Sequence, residues 1–297
     1  MTDFLQVSVQ GVAVGAKFAL VALGFVVIFK ATGVINFAQG GFVLFGAYFT
    51  FNVAETWGLP FYFGMIVAMA GGAVVGAVVE RVALRPMIGQ PPFAAIMITI
   101  GVLFILQQIV TSIWGFDAHN LGDPWKNDTV HTGDVVIAVR DLWTMGLAAA
   151  ALTAFFLFFR FTSTGVAMRA TALDPEAALA QGISPGRVYT LAWAVSGAVA
   201  ALAGVTLAAG TGQLTPGIDL IALAAFPAII LGGLDSPAGA VVGGVLIGVS
   251  QSLTARYLAD VDWLGTNFHV VMPYVLMVAI LMVRPYGLFG TKEVRRV

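Results

Sequence analysis

The chain has 297 residues, 59% of them hydrophobic and only 10% charged, with net charge −1 and mean hydropathy +0.95. A soluble domain covers its surface with roughly 25% charged residues, so this composition excludes a water-soluble globular protein, and the near-zero net charge gives no reason to expect nucleic acid as a partner. Cysteine is absent, which removes disulfides, thiolate metal sites and cysteine nucleophiles from consideration.

Apolar runs about long enough to cross a roughly 30 Å hydrocarbon core as helices recur near 8–29, 37–54, 60–80, 93–113, 142–160, 188–209, 220–234, 239–257 and 267–284. They predict an all-α integral membrane protein of about eight to nine transmembrane helices, a single domain over residues 1–297. The first run follows Asp3 rather than a basic segment and is too long for a signal-peptide core, so it reads as a retained span. Lys17 is the charge inside that span. It has three readings: snorkelling to the interface, pairing with an acid such as Asp219, or meeting a solute carboxylate.

Between the first two runs, Thr32-Gly33-Val34-Ile35-Asn36-Phe37-Ala38-Gln39-Gly40-Gly41 breaks the apolar pattern. Asn36 suits the start of a helix, because Asn caps well. The segment is either a polar turn between spans or a loop dipping into the membrane to line a solute path. Asn36, Gln39, Gly40 and Gly41 are candidates for that path, since irregular backbone at membrane depth is tolerated where it faces a cavity. In the fourth run Thr99, Gln107, Gln108 and Thr111 interrupt the apolar residues. Thr99 and Gln107 lie about 80° apart around a helix, so one face can carry both, either in hydrogen bonds to another helix or as candidates lining the solute path. The segment Trp114–Asp141, rich in Asp, Gly and Pro, reads as a polar cap.

The loop 162–187 has a different character. Asp174 followed by Pro175 and Glu176 is a helix start, with acids near the positive end of the dipole. Gln181-Gly182 is a helix stop, with Gly in the left-handed conformation. A helix of about seven residues is predicted there, flanked by Arg169 and Arg187, and its short, capped, Ala-rich form suits docking on a partner. Gln213 and Thr215 precede Pro216 and Asp219 at an outer helix end, where a solute could enter, which makes Gln213 a candidate path residue. The seventh run, bracketed by Pro216 and Pro227, is expected to be broken, tilted or re-entrant. The abundant glycines suit close helix crossings, and Gly232 and Gly233 join the candidate path residues.

Lys and Arg counts orient the chain. With loop 162–187 inside, Lys30, Arg81, Arg85, Arg160, Arg169, Arg187, Arg284, Lys292, Arg295 and Arg296 lie inside, against Lys126, Arg140 and Arg256 outside. The C-terminus is then cytoplasmic. His119, His131 and His269 show no metal-ligand spacing. Ser196-Gly197 with a distant His269 lacks the preceding glycine of intramembrane serine proteases, and Asn36-Phe37-Ala38 occurs once rather than as the paired boxes of a water channel. No lysine stands in a phosphate-loop context, so the chain does not hydrolyse nucleotide by that route. A docking helix without a motor points to a motor on another chain.

Thr32–Gly40, Ala83–Pro86, the Arg169–Ile183 loop, Leu231–Ala240 and Val283–Gly290 resemble, in order, the signature blocks of bacterial ABC-importer permeases of the branched-chain (hydrophobic) amino acid uptake family, closer to its shorter H-type permease than to the M-type partner. The resemblance implies a non-enzymatic permease of the bacterial inner membrane that takes up branched-chain or other hydrophobic amino acids, or related solutes such as urea, amides or aromatic acids. It also implies a second homologous permease, two ATP-binding subunits carrying ATP and Mg, and an extracytoplasmic solute-binding protein. No cofactor or metal is expected on this chain. Arg169, Asp174, Pro175, Glu176, Ala177, Gly182 and Ile183 would form the ATPase coupling helix. Lys17 departs from the family pattern, which has an uncharged residue there, and this leaves the solute open. The alternative is an autonomous channel or secondary carrier for a small polar solute.

Overall fold

The computed structural model describes residues 2–122, 124–125, 128–133, 135–211, 213–259, 261 and 267–291. Among the described residues the elements run α1 (Thr2–Thr32), α2 (Gln39–Phe51), α3 (Phe61–Val79), α4 (Pro92–Trp114), β1 (Thr129–Thr132), β2 (Val135–Ala138), α5 (Val139–Phe161), α6 (Ser163–Leu173), α7 (Pro175–Ala180), α8 (Pro185–Thr211), α9 (Ile218–Leu223), α10 (Phe226–Gly232), α11 (Pro237–Tyr257) and α12 (Phe268–Val283). Six helices are long and apolar enough to cross a membrane (α1, α3, α4, α5, α8 and α11), and the α9–α10 segment and α12 are shorter apolar helices. Every apolar run of the sequence is helical in the structure. The seventh is broken, as expected, into α9 and α10 at Ala224–Ala225, with Pro227 in the first turn of α10.

α1 and α8 form the centre. Each buries 78% of its most apolar window, against 17% for α5 at the periphery. Lipid offers no hydrophobic drive between helices, so close approach depends on small residues. Gly11 and Gly15 of α1 abut Gly248, Gly244 and the backbone of α11, and a methyl group on Gly15 would lie 2.7 Å from the Gly244 carbonyl. Gly72 and Gly76 of α3 cross α8 at Gly197 and Trp193, while α2 crosses α8 at Gly46 against Ala201. Large apolar side chains such as Ile66, Val74 and Val78 on α3 and Val271, Val278 and Met282 on α12 point outward and form a lipid-facing belt.

At one end of the bundle β1 and β2 pair antiparallel, Thr129 opposite Ala138. Gln6 pins this hairpin to α1 through both amide atoms, its nitrogen donating to the Val136 carbonyl at 2.5 Å and its oxygen accepting from the Val136 amide at 2.7 Å. The polar cap read from the sequence is thus a small hairpin. Asp123, Lys126, Asp134, Lys292, Arg295 and Arg296 lie outside the described residues. At the opposite end lie the end of α1, the end of α3, α6 and α7. α6 was not expected: the sequence reading had one short helix in loop 162–187, but the loop holds two. Thr162 caps α6 by accepting from the Gly165 amide at 3.0 Å.

Candidate functional site

After α1 ends at Thr32, the chain turns back into the bundle without helical structure until α2 begins at Gln39. Asn36 and Gln39 are fully buried. Asn36 does not start the helix, which begins three residues later with Ala38 as its cap. Its side chain instead closes a local turn, accepting from the Ala38 amide at 3.0 Å and donating to Gln39 Oε1 at 3.2 Å. An Asx turn of this kind competes with helix continuation, so the cap role is lost. Ser196, midway along α8, lies 2.8 Å from the Gly24 carbonyl and 3.0 Å from Gln39 Oε1, and donates its one proton to either. Gln39 Nε2 is buried without a partner against Gly24, where only hydrogen fits. On the other side of the loop, the Phe37 amide donates to Thr99 Oγ1 at 3.1 Å.

The second broken element meets the first here. Gly40, at the start of α2, abuts the Asp219 carbonyl at the start of α9, where an added methyl group would lie 2.7 Å away. Phe226 of α10 stacks on Phe37, with centroids 5.2 Å apart, and packs edge-on against Phe25 at 4.9 Å. Asp219 is buried and accepts from the Leu220 amide at 2.8 Å. Two helices therefore begin side by side inside the bundle rather than at its ends. The sequence-predicted residues Asn36, Gln39, Gly40, Gly41 and Thr99 come together in this closed cluster, with Gly41 against Leu106 of α4.

Gln107 does not join them. Thr99 is buried toward the loop, while half-buried Gln107 and exposed Gln108 line a cavity of about 460 Å³ on the outward side of α4 with Thr111, Phe104 and Phe116. Gln108 Nε2 donates to Ser112 at 3.0 Å. Gln213 is exposed at the hairpin end, beside Leu214, which bridges to His119. Gly232 packs on the Gly239 backbone, and Gly233, at φ +107°, closes α10 against Gly290. Both sit near the α6–α7 end, away from the cluster. Lys17 is partly buried, and the charges acting on it are Asp141 and Arg140 at the start of α5, not Asp219.

A feature invisible to sequence spacing lies at the end of α3. A π turn over Glu80–Leu84 closes with the Arg85 amide on the Glu80 carbonyl, which stacks these residues one turn apart. Arg85 Nε and Nη2 donate to Glu80 at 3.2 and 2.9 Å, and Thr190 Oγ1 donates to the same carboxylate at 2.7 Å. Arg85 also reaches the Gly186 carbonyl at 2.9 Å. This lock, centred on the buried Glu80 carboxylate, joins the end of α3 to the first two turns of α8. The only hint in the sequence is an acid and a base five residues apart, a spacing that an α-helix would put on different faces.

Loop 162–187 folds as predicted around its second helix. Asp174 Oδ1 accepts from the Glu176 and Ala177 amides at 3.0 and 2.9 Å, with Pro175 in the first turn of α7. Gly182 has φ +82°, and the Ile183 amide returns to the Ala178 carbonyl at 3.0 Å. Exposed Glu176, Ala177 and Leu179 leave one face of α7 bare. Arg169 stands on α6 and turns back to the Phe159 carbonyl.

A family model described as branched-chain amino acid transport system, permease component, matches residues 8–281. The permease LivH of the high-affinity branched-chain amino acid transport system of Escherichia coli K12 is 32% identical over 99% of this chain and 98% of its own length. The corresponding permease BraD of Pseudomonas aeruginosa is 30% identical over 99% and 98%. Among solved structures, a metal-chelate type ABC transporter in an inward-facing conformation shares the fold, with TM-score 0.51 and 16% identity over 94% of this chain and 85% of the other.

Proposed function

The chain belongs to the branched-chain amino acid transport permease family, and from that premise we propose that it forms one half of the membrane path of an ATP-driven importer for branched-chain or other hydrophobic amino acids. A second homologous permease would complete the path, two ATPase subunits would drive it, and an external binding protein would deliver the solute. The C-terminus and loop 162–187 are then cytoplasmic, consistent with the excess of Lys and Arg at that end. The observation that carries this reading is the pair of helices, α2 and α9, that begin inside the bundle in contact at Gly40 and Asp219. Discontinuous helices at mid-membrane depth mark solute sites in transporters.

Within that reading, Asn36, Gln39, Ser196 and Thr99 hold the break in place, since all four are buried within the single chain. The polar side of α4 with Gln107 and Gln108 faces the path. An exposed amide at membrane depth is costly against lipid, so a partner permease and water cover it. α7 docks into an ATPase, and closure of the ATPase pair moves it as a rigid body.

The test is uptake of radiolabelled leucine into proteoliposomes. Uptake requires the partner permease, the ATPases, ATP and the binding protein together. Leucine flux through vesicles holding this chain alone would overturn the importer reading in favour of a channel or carrier.

A further inference from the structure

A second cavity, distinct from the α4 face, opens where the end of α1, α6, Pro175 of α7 and the start of α8 meet Asp235 and Thr291. Its volume is about 520 Å³. Two cations line it. Lys30, in the last turn of α1, donates to the Asp235 carbonyl at 3.0 Å and stands 5.1 Å from the centroid of the Phe159 ring. Arg169 of α6 lies 5.4 Å from the same ring. These two like charges therefore share one aromatic ring, and Arg169 and Asp235 are the charged groups acting on Lys30. The single acid present is already engaged: the Asp235 carboxylate accepts from the Thr291 amide at 3.3 Å and from its hydroxyl. Thr171 also lines the cavity, and its buried hydroxyl has no partner. Each cation keeps donors free, since an ammonium carries three and a guanidinium five.

The rim has the opposite character. Phe29, Ala172 and Leu173 border the opening, and Leu173 is 89% exposed. The cavity lies beside the last turns of two apolar helices, α1 at Lys30 and α5 at Phe159. We propose that it is an anion site for a phosphate group, carried by an anionic phospholipid headgroup, with Lys30 and Arg169 as ligands and the apolar rim meeting the glycerol and upper acyl chain. Basic pockets between helices near the membrane surface bind such headgroups, and a guanidinium matches phosphate oxygens in pairs. The volume exceeds what a bare phosphate fills and suits a glycerophosphate. Because its wall is the helix preceding α7, occupancy would brace the proposed coupling loop. The site itself does not depend on the transport reading.

The full chain, purified in dodecyl maltoside, would be examined by native mass spectrometry after addition of phosphatidylglycerol, phosphatidylcholine or inorganic phosphate. Phosphatidylglycerol should be retained in preference to phosphatidylcholine. Lys30→Gln and Arg169→Gln should each weaken its retention about fivefold, the worth of one basic residue near a membrane surface. Arg169→Lys should keep most of it and Arg256→Gln, at the hairpin end, all of it. Melting curves for each variant separate loss of binding from loss of fold. Retention of inorganic phosphate with the same dependence on Lys30 and Arg169 supports the site and assigns free phosphate as its source. Equal retention of the two lipids, or unchanged binding by folded Lys30→Gln and Arg169→Gln chains, overturns the proposal.

Discussion

Replacing Asp174 by Ala should uncouple transport from ATP hydrolysis while leaving the membrane bundle intact. The side chain holds two of the first amides of α7, at 3.0 and 2.9 Å, and the helix is only 6 residues long. Loss of such a cap costs about 1 kcal/mol, about a fivefold shift between helix and coil. Helices shorter than about 12 residues are marginal even with good composition, so α7 has no reserve to absorb that shift. Its other end rests on Gly182 at φ +82°. Alanine there costs about 1–2 kcal/mol more, because its Cβ opposes the left-handed conformation. The bundle does not share the loss, because the exposed face of α7 contributes little to the core. The assay is ATPase activity of the assembled transporter, stimulated by loaded binding protein, alongside uptake and the melting temperature of the chain. Asp174→Asn should behave nearly as wild type, since Asn caps as well as Asp. Wild-type coupling in a folded Asp174→Ala, Gly182→Ala double variant would refute the assignment of α7 as the element that transmits the stroke.

Three further outcomes are expected. Gly197→Ala places a methyl group on the Gly72 carbonyl, backbone against backbone, and should lower stability by about 1–3 kcal/mol, read as a lower melting temperature in detergent; Gly101→Ala meets nothing within 4 Å and should be neutral or slightly stabilising. Glu80→Gln leaves Arg85 without its counter-ion and should cost about 2 kcal/mol, less than the ~3–5 of a fully enclosed pair because Arg85 stays partly wet; Glu80→Asp should recover part of the loss in the same melt. Because the chain has no cysteine, Gln108→Cys gives it a single thiol; in the assembled transporter, labelling read on this chain's own band should show reaction with a membrane-impermeant thiosulfonate reagent, whereas Val78→Cys on the lipid-facing side of α3 should not react.

What could be read from the residues, and what could not, follows from which interactions are local. Apolar runs mark the spans directly, because in a bilayer every backbone group must be satisfied within its own helix and no alternation of polar and apolar faces is needed. The α7 cap was equally legible: Asp174, Pro175 and Gly182 act on neighbours one to three residues away. α6 was missed because Ser163–Leu173 has neither an apolar stripe nor a strong cap signal beyond Thr162. The break at Asn36 was legible as a break, but not its geometry. Asn36 and Gln39 bond each other locally, but the third member of the cluster, Ser196, lies 157 positions beyond Gln39. From the sequence Ser196 was merely a small residue beside Gly197. The Glu80–Arg85–Thr190 lock escaped for a different reason: helix periodicity places residues five apart on different faces, and only the π turn brings them into line.

The polar groups within the bundle fall into two sets, and the division bears on how the chain works. Asn36, Gln39, Ser196, Thr99 and Glu80, the centre of its lock, are buried within one chain. Their hydrogen bonds join the re-entrant segment to α1, α4 and α8, and α3 to α8. They make the break a rigid feature rather than a flexible one. Gln107, Gln108 and Ser112 belong to the second set, on the outward side of α4, where the Gln108–Ser112 bond leaves further donors and acceptors unsatisfied by the chain's own core. Net stabilisation from a single interhelical hydrogen bond in a membrane averages only about 0.6 kcal/mol, so neither set is explained by stability. The first holds two interrupted helices in register. The second bears on the proposed importer: amides exposed at membrane depth call for a cover that carries hydrogen-bonding groups or water, and a second permease across a hydrated path, as proposed above, would supply both.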